Sequence, residues 1–207
     1  MQQNELNIVI RTSGRPNYFK NCINSIRKFA PRAMLHIIVD NTEDREYVEK
    51  LAYGLKYWYY NVDKEAVKTI CDKIKITRPQ FIYNYYFNLV KPYLNGWCLL
   101  LDDDDELLHT INIDFVPPNI YLYKVKIGER IVPNKENFGN RPVLNDISGI
   151  GIVFHSSQMV DWMPQRGGDF DFITAMYEKN NPVWVDEILS GTQTGGNFGK
   201  RNDLKDE

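Results

Sequence analysis

The order of apolar and amphipathic segments in the first quarter of the chain constrains the fold most strongly. Leu6–Ile10 is a short apolar run rich in β-branched residues, which predicts a buried strand. Pro16 suits the first turn of a helix, and the apolar residues after it recur at helical spacing. A second apolar strand at 35–39 and a second helix at 45–55 follow. This alternation favours a parallel sheet with right-handed crossovers, in which ligands bind beyond the carboxyl ends of the strands.

The rest of the chain continues with strands and helices in a less regular order. Residues 57–62 predict a third strand, and 64–75 a short helix or a loop. The aromatic-rich segment 80–93 predicts a helix on which Asn84 and Asn88 share one face, since they are four residues apart. The later predicted elements are a strand at 97–101, a strand at 120–127 with a partner at 130–133, a strand at 147–154, a helix at 170–178, a short strand at 184–185 and a Gly-rich tail from 191 that is a lid or disordered.

Four consecutive aspartates, Asp102 to Asp105, come directly after the apolar strand at 97–101, and Glu106 follows them. Neighbouring carboxylates repel one another, and a folded chain tolerates such a run best when a cation lies among them or solvent surrounds them all. Hard oxygen ligands at the carboxyl end of a strand suit Mg²⁺ or Mn²⁺. The run therefore predicts a divalent-metal site, with a solvated acidic turn as the alternative.

Composition narrows the function classes. The 207 residues suit one α/β domain, and a net charge of −2 without clustered basic residues argues against nucleic acid as the main partner. The three cysteines form no CxxC pair, which supports neither a zinc site nor a disulfide framework, and their odd number fits a reducing compartment. The polar start does not resemble a signal peptide, and no apolar stretch approaches the roughly 20 residues of a transmembrane helix. We expect a soluble, cytoplasmic protein.

Four segments, in order, resemble those of GT-A glycosyltransferases, especially of the family-2 type. They are 8–16, similar to the first strand and nucleotide loop; 38–44, similar to the second strand; 101–105, similar to the Asp-x-Asp motif; and 166–172, similar to a late Gly-Glu-Asp segment. The resemblance covers 6 to about 175. It implies a single Rossmann-like α/β domain with a mostly parallel central sheet, flanking helices and a small mixed extension. Residues 1–106 would bind the nucleotide sugar, 107–190 would bind the acceptor and carry the catalytic base, and 191–207 would be a flexible tail.

The same resemblance implies roles for individual residues. Asp104 is the expected principal metal ligand, with Asp102 and His155 as further candidates, and Asp105 would either assist the metal or cap the following turn. Asp169 is the expected general base, and Asp171 is its nearest rival. The expected donor-binding residues are Thr12, Arg15, Asp40, Asn84, Asn88, Asp102 and Asp103.

Some of these residues also have an ordinary structural interpretation. Asp40 can serve as a turn or capping residue, and Asp169 can simply begin a helix, because an acidic side chain complements the helix dipole there. A histidine such as His155 at a strand end is commonly structural. The chain also departs from the family at Gly168, where Glu is usual.

The implied reaction is the metal-dependent transfer of a hexose-type sugar from a nucleotide diphosphate donor, with a UDP-sugar expected, to a hydroxyl of a glycan or another acceptor, with inversion at the anomeric carbon. Two alternatives stay open. A nucleotidyltransferase shares a similar sheet, although its Gly-rich loop with a downstream Pro-Lys is absent after Ile10. A non-catalytic module that binds metal and nucleotide or sugar is the other. The sugar, the acceptor and the oligomeric state stay open as well.

Overall fold

The computed structural model describes residues 6–111, 116–136 and 151–193. Its strands are β1 (Leu6–Thr12), β2 (Met34–Val39), β3 (Lys56–Asn61), β4 (Trp97–Asp102), β5 (Asp105–Leu107), β6 (Asn119–Ile127), β7 (Arg130–Val132), β8 (Ile152–His155) and β9 (Asn181–Thr192). Its helices are α1 (Pro16–Phe29), α2 (Asp44–Ala52), α3 (Lys64–Cys71), α4 (Tyr86–Val90) and α5 (Gly168–Lys179), with 3₁₀ turns at Ile82–Tyr85, Lys91–Tyr93 and Ser156–Gln158. Among the described residues, no helix has the length and apolar character needed to cross a bilayer.

One twisted sheet contains all of these strands. Its order is β3-β2-β1-β4-β8-β6-β9-β5, and β7 pairs with β6. The first four strands are all parallel, which confirms the predicted parallel sheet, whereas β8 is antiparallel to both of its neighbours. The register aligns Thr12 with Val39 and Arg11 with Asp102. The carboxyl ends of β1, β2 and β4 therefore meet at one edge of the sheet, which we call the carboxyl edge.

Two apolar layers cover the two faces of the sheet. Ile8 and Ile10 of β1 pack on one face with buried residues of α1 and α2, while Val9 packs on the other face with α4 and α5. This alternation follows from the two-residue period of a strand. In α1, Pro16 occupies the first turn, and Arg27 and Lys28 lie in the last turn, where positive charge complements the helix dipole. Both ends of α1 therefore carry residues that stabilise a helix terminus.

The predicted helix at 80–93 is confirmed in part, because residues 82–93 are helical but do not form one continuous α-helix. Only the five residues of α4 are α-helical, and a 3₁₀ turn lies on either side of them. The first two residues of the predicted segment pair instead with another part of the chain: Gln80 forms a β-bridge with Gln165, and the Phe81 amide donates to the Pro164 carbonyl (2.7 Å). Tertiary pairing has outweighed the local helical preference here.

The predicted short strand at 184–185 is instead the twelve-residue β9. The register between β6 and β9 shifts at Lys124, which pairs with Ile188 although Tyr123 pairs with Val185. A bulge of this kind leaves the acidic residues after Val185 out of the ladder and disrupts the alternating pattern by which a strand is recognised. The predicted tail is wrong for Gly191 and Thr192, which pair with β5; residues 194–207, and residues 147–150 of another predicted strand, lie outside the described residues.

A buried polar chain crosses the parallel part of the sheet. His36, 2% exposed, contacts the Tyr60 hydroxyl through Nδ1 (2.9 Å) and Asn7 Oδ1 through Nε2 (3.0 Å). The Asn7 amide nitrogen donates to the carbonyls of Asn95 (2.7 Å) and Trp97 (3.1 Å). Burial lowers the pKa of His36 to about 4, so the folded protein keeps this imidazole neutral.

This burial predicts a pH dependence of stability. Between pH 6.5 and 4 the unfolded chain binds a proton at His36 that the folded chain does not, so the His36 contribution to the free energy of unfolding falls as pH falls through that window. We expect wild type to lose about 2 kcal/mol relative to His36→Gln between pH 7.5 and pH 5. Urea denaturation of both proteins measures this difference, in which the titrating carboxylates common to both cancel. A difference that does not change with pH contradicts a neutral buried His36.

Candidate active site

The acidic run forms a tight turn at the carboxyl edge. Asp102 ends β4 and Asp105 begins β5. One carboxylate oxygen from each of Asp102, Asp104 and Asp105 lies within 4.8 Å of the others. Asp105 is 5% exposed, and its Oδ2 accepts a hydrogen bond from the Asp102 amide (3.2 Å). Three hard oxygen ligands in this arrangement fit Mg²⁺ or Mn²⁺, and Asp105 is one of the three.

Asp103, in the middle of the run, faces the protein interior. Its side chain is fully buried, and Oδ2 accepts hydrogen bonds from Thr12 Oγ1 (2.7 Å) and Arg15 Nε (3.0 Å). Burial raises the pKa of Asp103 to about 7, although the Arg15 charge and the Thr12 hydroxyl act to lower it. The structure thus brings three expected donor-binding residues together, with Asp103 anchoring the acidic turn from inside.

Two arginines neutralise part of the acidic run. Arg11 forms a two-pronged ion pair with Asp102, in which Nη2 donates to Oδ2 at 2.7 Å. Arg15 pairs with Asp103 and also donates from Nη1 to Asp104 Oδ2 (3.1 Å). Four carboxylates and two guanidinium groups leave two negative charges when all are ionised, and burial raises the pKa of Asp104 and of Asp105. A divalent cation would balance that excess. Arg11 is the single charged residue of β1, which is the signal that sequence reasoning missed.

The last described residue closes over the same turn. The Gln193 amide donates to the Asp104 carbonyl (2.8 Å), and its side-chain Nε2 donates to the carbonyls of Asp103 (3.2 Å) and Tyr18 (3.1 Å). The end of β9 therefore holds the backbone of the acidic turn against α1. Sequence reasoning placed Gln193 in a flexible tail because the length of β9 was not recognised.

A second cluster surrounds Asp40, the residue after β2. The Tyr86 hydroxyl donates to Asp40 Oδ2 (3.2 Å), and Lys64 Nζ lies 3.7 Å from the same oxygen. Lys64 also donates to the Tyr83 hydroxyl (3.1 Å) and lies over the Tyr83 ring, 5.1 Å from its centre. Asp40 thus belongs to a group with one cation and two tyrosines, none of which the sequence analysis assigned.

Asn84 and Asn88 share one face, as predicted, and that face meets the segment around 162–165. Asn84 accepts from Arg11 Nη1 (3.0 Å) and donates to the Gln165 carbonyl (3.1 Å). Asn88 donates to the Trp162 carbonyl (2.9 Å) and accepts from the Trp162 amide (2.7 Å). Both amide groups therefore make contacts within the protein.

The two candidate bases lie in the first turn of α5, where a carboxylate complements the helix dipole. Asp171 forms an ion pair with Arg78 and accepts from Gln165 Nε2 (2.7 Å). Burial acts to raise the pKa of Asp171, but the hydrogen bonds from Arg78 and Gln165 outweigh it and lower that pKa. Asp171 is thus held by two protein donors and has a lowered pKa, which argues against it as the base.

His155 lies at the opposite edge of the sheet from the acidic run. It is the last residue of β8 and pairs with Trp97, the first residue of β4, whereas Asp102 is the last residue of β4. Its ring packs edge-on against Trp97 (5.6 Å between centres), and Nδ1 contacts Ser157 Oγ (2.8 Å). The length of β4 separates it from the aspartates by about 16 Å. The expectation that His155 completes the metal site is therefore wrong; in the structure it packs on Trp97 and caps the 3₁₀ turn Ser156–Gln158.

Gly168, where the family usually has Glu, has no room for a side chain. A Cβ there would lie 2.4 Å from the Met163 carbonyl oxygen and 2.8 Å from Asn84 Nδ2. The departure from the family pattern therefore has a local physical cause, since α5 begins in direct contact with Asn84.

Comparisons with known proteins establish the fold. No protein-family model matches the sequence, and no curated protein matches it. The structure of S. aureus TarS aligns over 91% of this chain with a TM-score of 0.64 at 13% identity, and TarS 1–349 aligns over 91% with 0.63 at 15%. Glucosyl-3-phosphoglycerate synthase from Mycobacterium tuberculosis, in complex with Mn²⁺, UDP-glucose and phosphoglyceric acid, aligns over 98% with 0.53 at 10%.

The present chain spans 36% and 60% of the two TarS chains and 74–75% of the synthase chains bound to Mn²⁺ or Mg²⁺. At these identities the similarity concerns the fold. The chain has the GT-A fold of these glycosyltransferases, which confirms the predicted α/β architecture with its largely parallel central sheet.

The close packing at Gly168 predicts a strong effect of one methyl group. Gly168→Ala should lower the free energy of unfolding by about 3 kcal/mol, because a backbone carbonyl cannot move away as a flexible side chain can. Gly54→Ala is the matched control: it has open space and a positive φ of +83°, so it should lose only about 1 kcal/mol through backbone strain. Urea denaturation of the two variants checks the difference. Equal losses would show that the segment from 162 to 168 is free to move.

Proposed function

We propose that this protein is a metal-dependent glycosyltransferase that moves a sugar from a nucleotide diphosphate donor, with UDP as the expected nucleotide, to an acceptor hydroxyl. The observation that carries the proposal is the cluster of Asp102, Asp104 and Asp105 at the carboxyl edge of a GT-A sheet. The structural similarity to a synthase bound to Mn²⁺ and UDP-glucose supports the choice of donor and metal.

The three carboxylates would hold Mn²⁺ or Mg²⁺, with Asp104 as the principal ligand and Asp102 and Asp105 beside it. When bound, such an ion stabilises the negative charge that develops on the departing nucleotide diphosphate. Arg15 and Thr12 hold Asp103 inside the turn, so they fix the positions of the carboxylates on either side of it. The net negative charge that remains after pairing with Arg11 and Arg15 is what gives the cluster its affinity for a divalent cation.

The Asp40 cluster would bind the nucleoside of the donor. Asp40 follows β2, next to β1, at the same edge as the acidic turn. Its carboxylate would accept a hydrogen bond from the base or from a ribose hydroxyl, and the half-buried Tyr83 lies in the same cluster. Lys64, which contacts both residues, keeps their side chains in position.

Asp169 would act as the general base. It would take the proton of the acceptor hydroxyl as that oxygen attacks the anomeric carbon. The bond from the anomeric carbon to the acceptor oxygen would form while the bond to the diphosphate oxygen breaks, and the nucleotide diphosphate would leave with the bonding electrons. A single displacement of this kind inverts the anomeric carbon.

The proposed metal site predicts how nucleotides stabilise the protein. UDP with Mn²⁺, at about one hundred times its dissociation constant, should raise Tm by about 5–10 °C, and EDTA should abolish the effect. Asp104→Asn should lose the response. Asp161→Asn, which removes an exposed carboxylate paired with Lys91 (2.7 Å), should keep it. Differential scanning fluorimetry with UDP, GDP, CMP and ATP measures these shifts. Absence of any nucleotide response would overturn the proposal and favour a protein without a donor site.

The two aspartates of α5 predict different kinetic effects. Asp169→Asn should lower kcat by about a hundredfold or more, while the nucleotide-induced Tm shift persists. Turnover is measured as UDP released from the preferred UDP-sugar. Asp171→Asn breaks the contacts with Arg78 and Gln165, so it should lower Tm and reduce kcat by less than about tenfold. If the larger loss follows Asp171→Asn, the roles are reversed. Binding of UDP without turnover in wild type would indicate the non-catalytic module instead.

A further inference from the structure

A chain of side-chain contacts connects the acidic turn to the start of α5. Arg11 pairs with Asp102 through one side of its guanidinium group and donates from Nη1 to Asn84 Oδ1 (3.0 Å). Asn84 Nδ2 donates in turn to the Gln165 carbonyl (3.1 Å). We call the Arg11 guanidinium and the Asn84 amide the Arg11–Asn84 bridge. It joins β1 and β4 to the segment that leads into α5.

The chemistry of the two ends fixes the orientation of the Asn84 amide. A guanidinium group offers only donors and a carbonyl only accepts, so the amide oxygen must face Arg11 and the amide nitrogen must face Gln165. Asn84 is 6% exposed, so water does not readily replace either contact. Aspartate would lack the donor for Gln165, and alanine would lack both groups. An amide of this length is therefore what the position requires.

The first turn of α5 packs directly on this amide. The Gln165 carbonyl accepts from Asn84 and also from the Gly168 amide (2.9 Å), and a Cβ on Gly168 would lie 2.8 Å from Asn84 Nδ2. The Gln165 side chain then donates to Asp171 (2.7 Å). One carbonyl oxygen thus receives both the bridge and the start of the helix that carries Asp169.

We propose that Asn84 is a positioning residue, which sets the distance between the donor-side carboxylate Asp102 and the base-bearing first turn of α5. This inference rests on the proposed function. It replaces the expectation that Asn84 contacts the nucleotide sugar, because both of its amide atoms hold protein groups. A positioning residue of this kind affects the geometry of attack more than the affinity for nucleotide.

The first test compares two buried asparagines. Asn84→Ala and Asn7→Ala each remove an amide that joins two segments, at 6% and 4% exposure, but Asn7 lies at the other edge of the sheet. Both should lower Tm by a similar amount. Asn84→Ala should lower kcat at least tenfold and change the KM for donor and the Kd for UDP by less than twofold, whereas Asn7→Ala should keep the wild-type kcat. A tenfold weaker Kd for UDP in Asn84→Ala would overturn the inference, since it would make Asn84 a donor contact.

The second test needs no turnover. The amides of Gly168 and Asp171 donate to the carbonyls of Gln165 (2.9 Å) and Gly167 (3.2 Å), and their hydrogen exchange reports on the start of α5. Arg11→Lys keeps a positive charge beside Asp102 but loses the fork that reaches Asn84. Exchange of these two amides should rise about tenfold or more in Asn84→Ala and in Arg11→Lys, stay at the wild-type rate in Asn7→Ala, and rise no further in the double variant of Arg11 and Asn84.

The two tests separate failure of this inference from failure of the proposed function. If wild type transfers no sugar from any UDP-sugar while the exchange rates follow the expected pattern, the proposed reaction is wrong. The conclusion that the Arg11–Asn84 bridge holds the start of α5 in place is then still supported. If wild type is active but Asn84→Ala matches Asn7→Ala in kcat and in exchange, Asn84 is ordinary packing and the inference is overturned. Wild-type exchange rates in Arg11→Lys would also overturn it, because loss of the Arg11 contact would then have no effect on the start of α5.

Discussion

The ion pairs between the arginines of the first segment and the aspartates after β4 are the interaction on which the rest of the site depends. Buried or half-buried carboxylates are tolerated only when opposite charge compensates for lost hydration. Arg11 reaches Asp102 because β1 and β4 are parallel neighbours in register, and Arg15 reaches Asp103 and Asp104 because the chain turns into α1 directly above them. The sheet order is thus a condition for the charge balance, and the charge balance allows an acidic turn at this edge.

The partial nature of that compensation is what makes the site suited to a ligand. Full neutralisation would leave a structural ion-pair network, and no neutralisation would leave a turn that repels itself. Two guanidinium groups against four carboxylates lie between these limits. Buried ion pairs of this kind contribute little net stability compared with apolar packing. Their value here is that the side chains around Asp104 already have fixed positions before a donor arrives.

Much of the fold was predictable from the sequence, because the alternation of apolar strands and amphipathic helices in residues 6–62 is local and regular. The sequence also located the acidic run and the aspartates of α5. It could not show that Asp103 turns inward, that His155 lies at the far end of β4, or that β9 reaches Thr192. Those facts depend on register, on a bulge and on long-range pairing, none of which leaves a periodic signal. The contact between Arg11 and Asn84 was hidden for the same reason, since the two residues are 73 positions apart and meet only in the folded chain.

The contact between Gly168 and Asn84 has a consequence for the history of such a chain. A side chain at 168 would compete for space with the Met163 carbonyl and with the Asn84 amide, so position 168 is not free to change while both of these stay in place. A lineage that acquires glutamate at 168 must move the start of α5 away from the Met163 carbonyl and from Asn84, and residue 84 then loses its contact with the Gln165 carbonyl. Homologues should therefore fall into two groups in which residues 84 and 168 vary together. Intermediates with only one of these changes would be selected against.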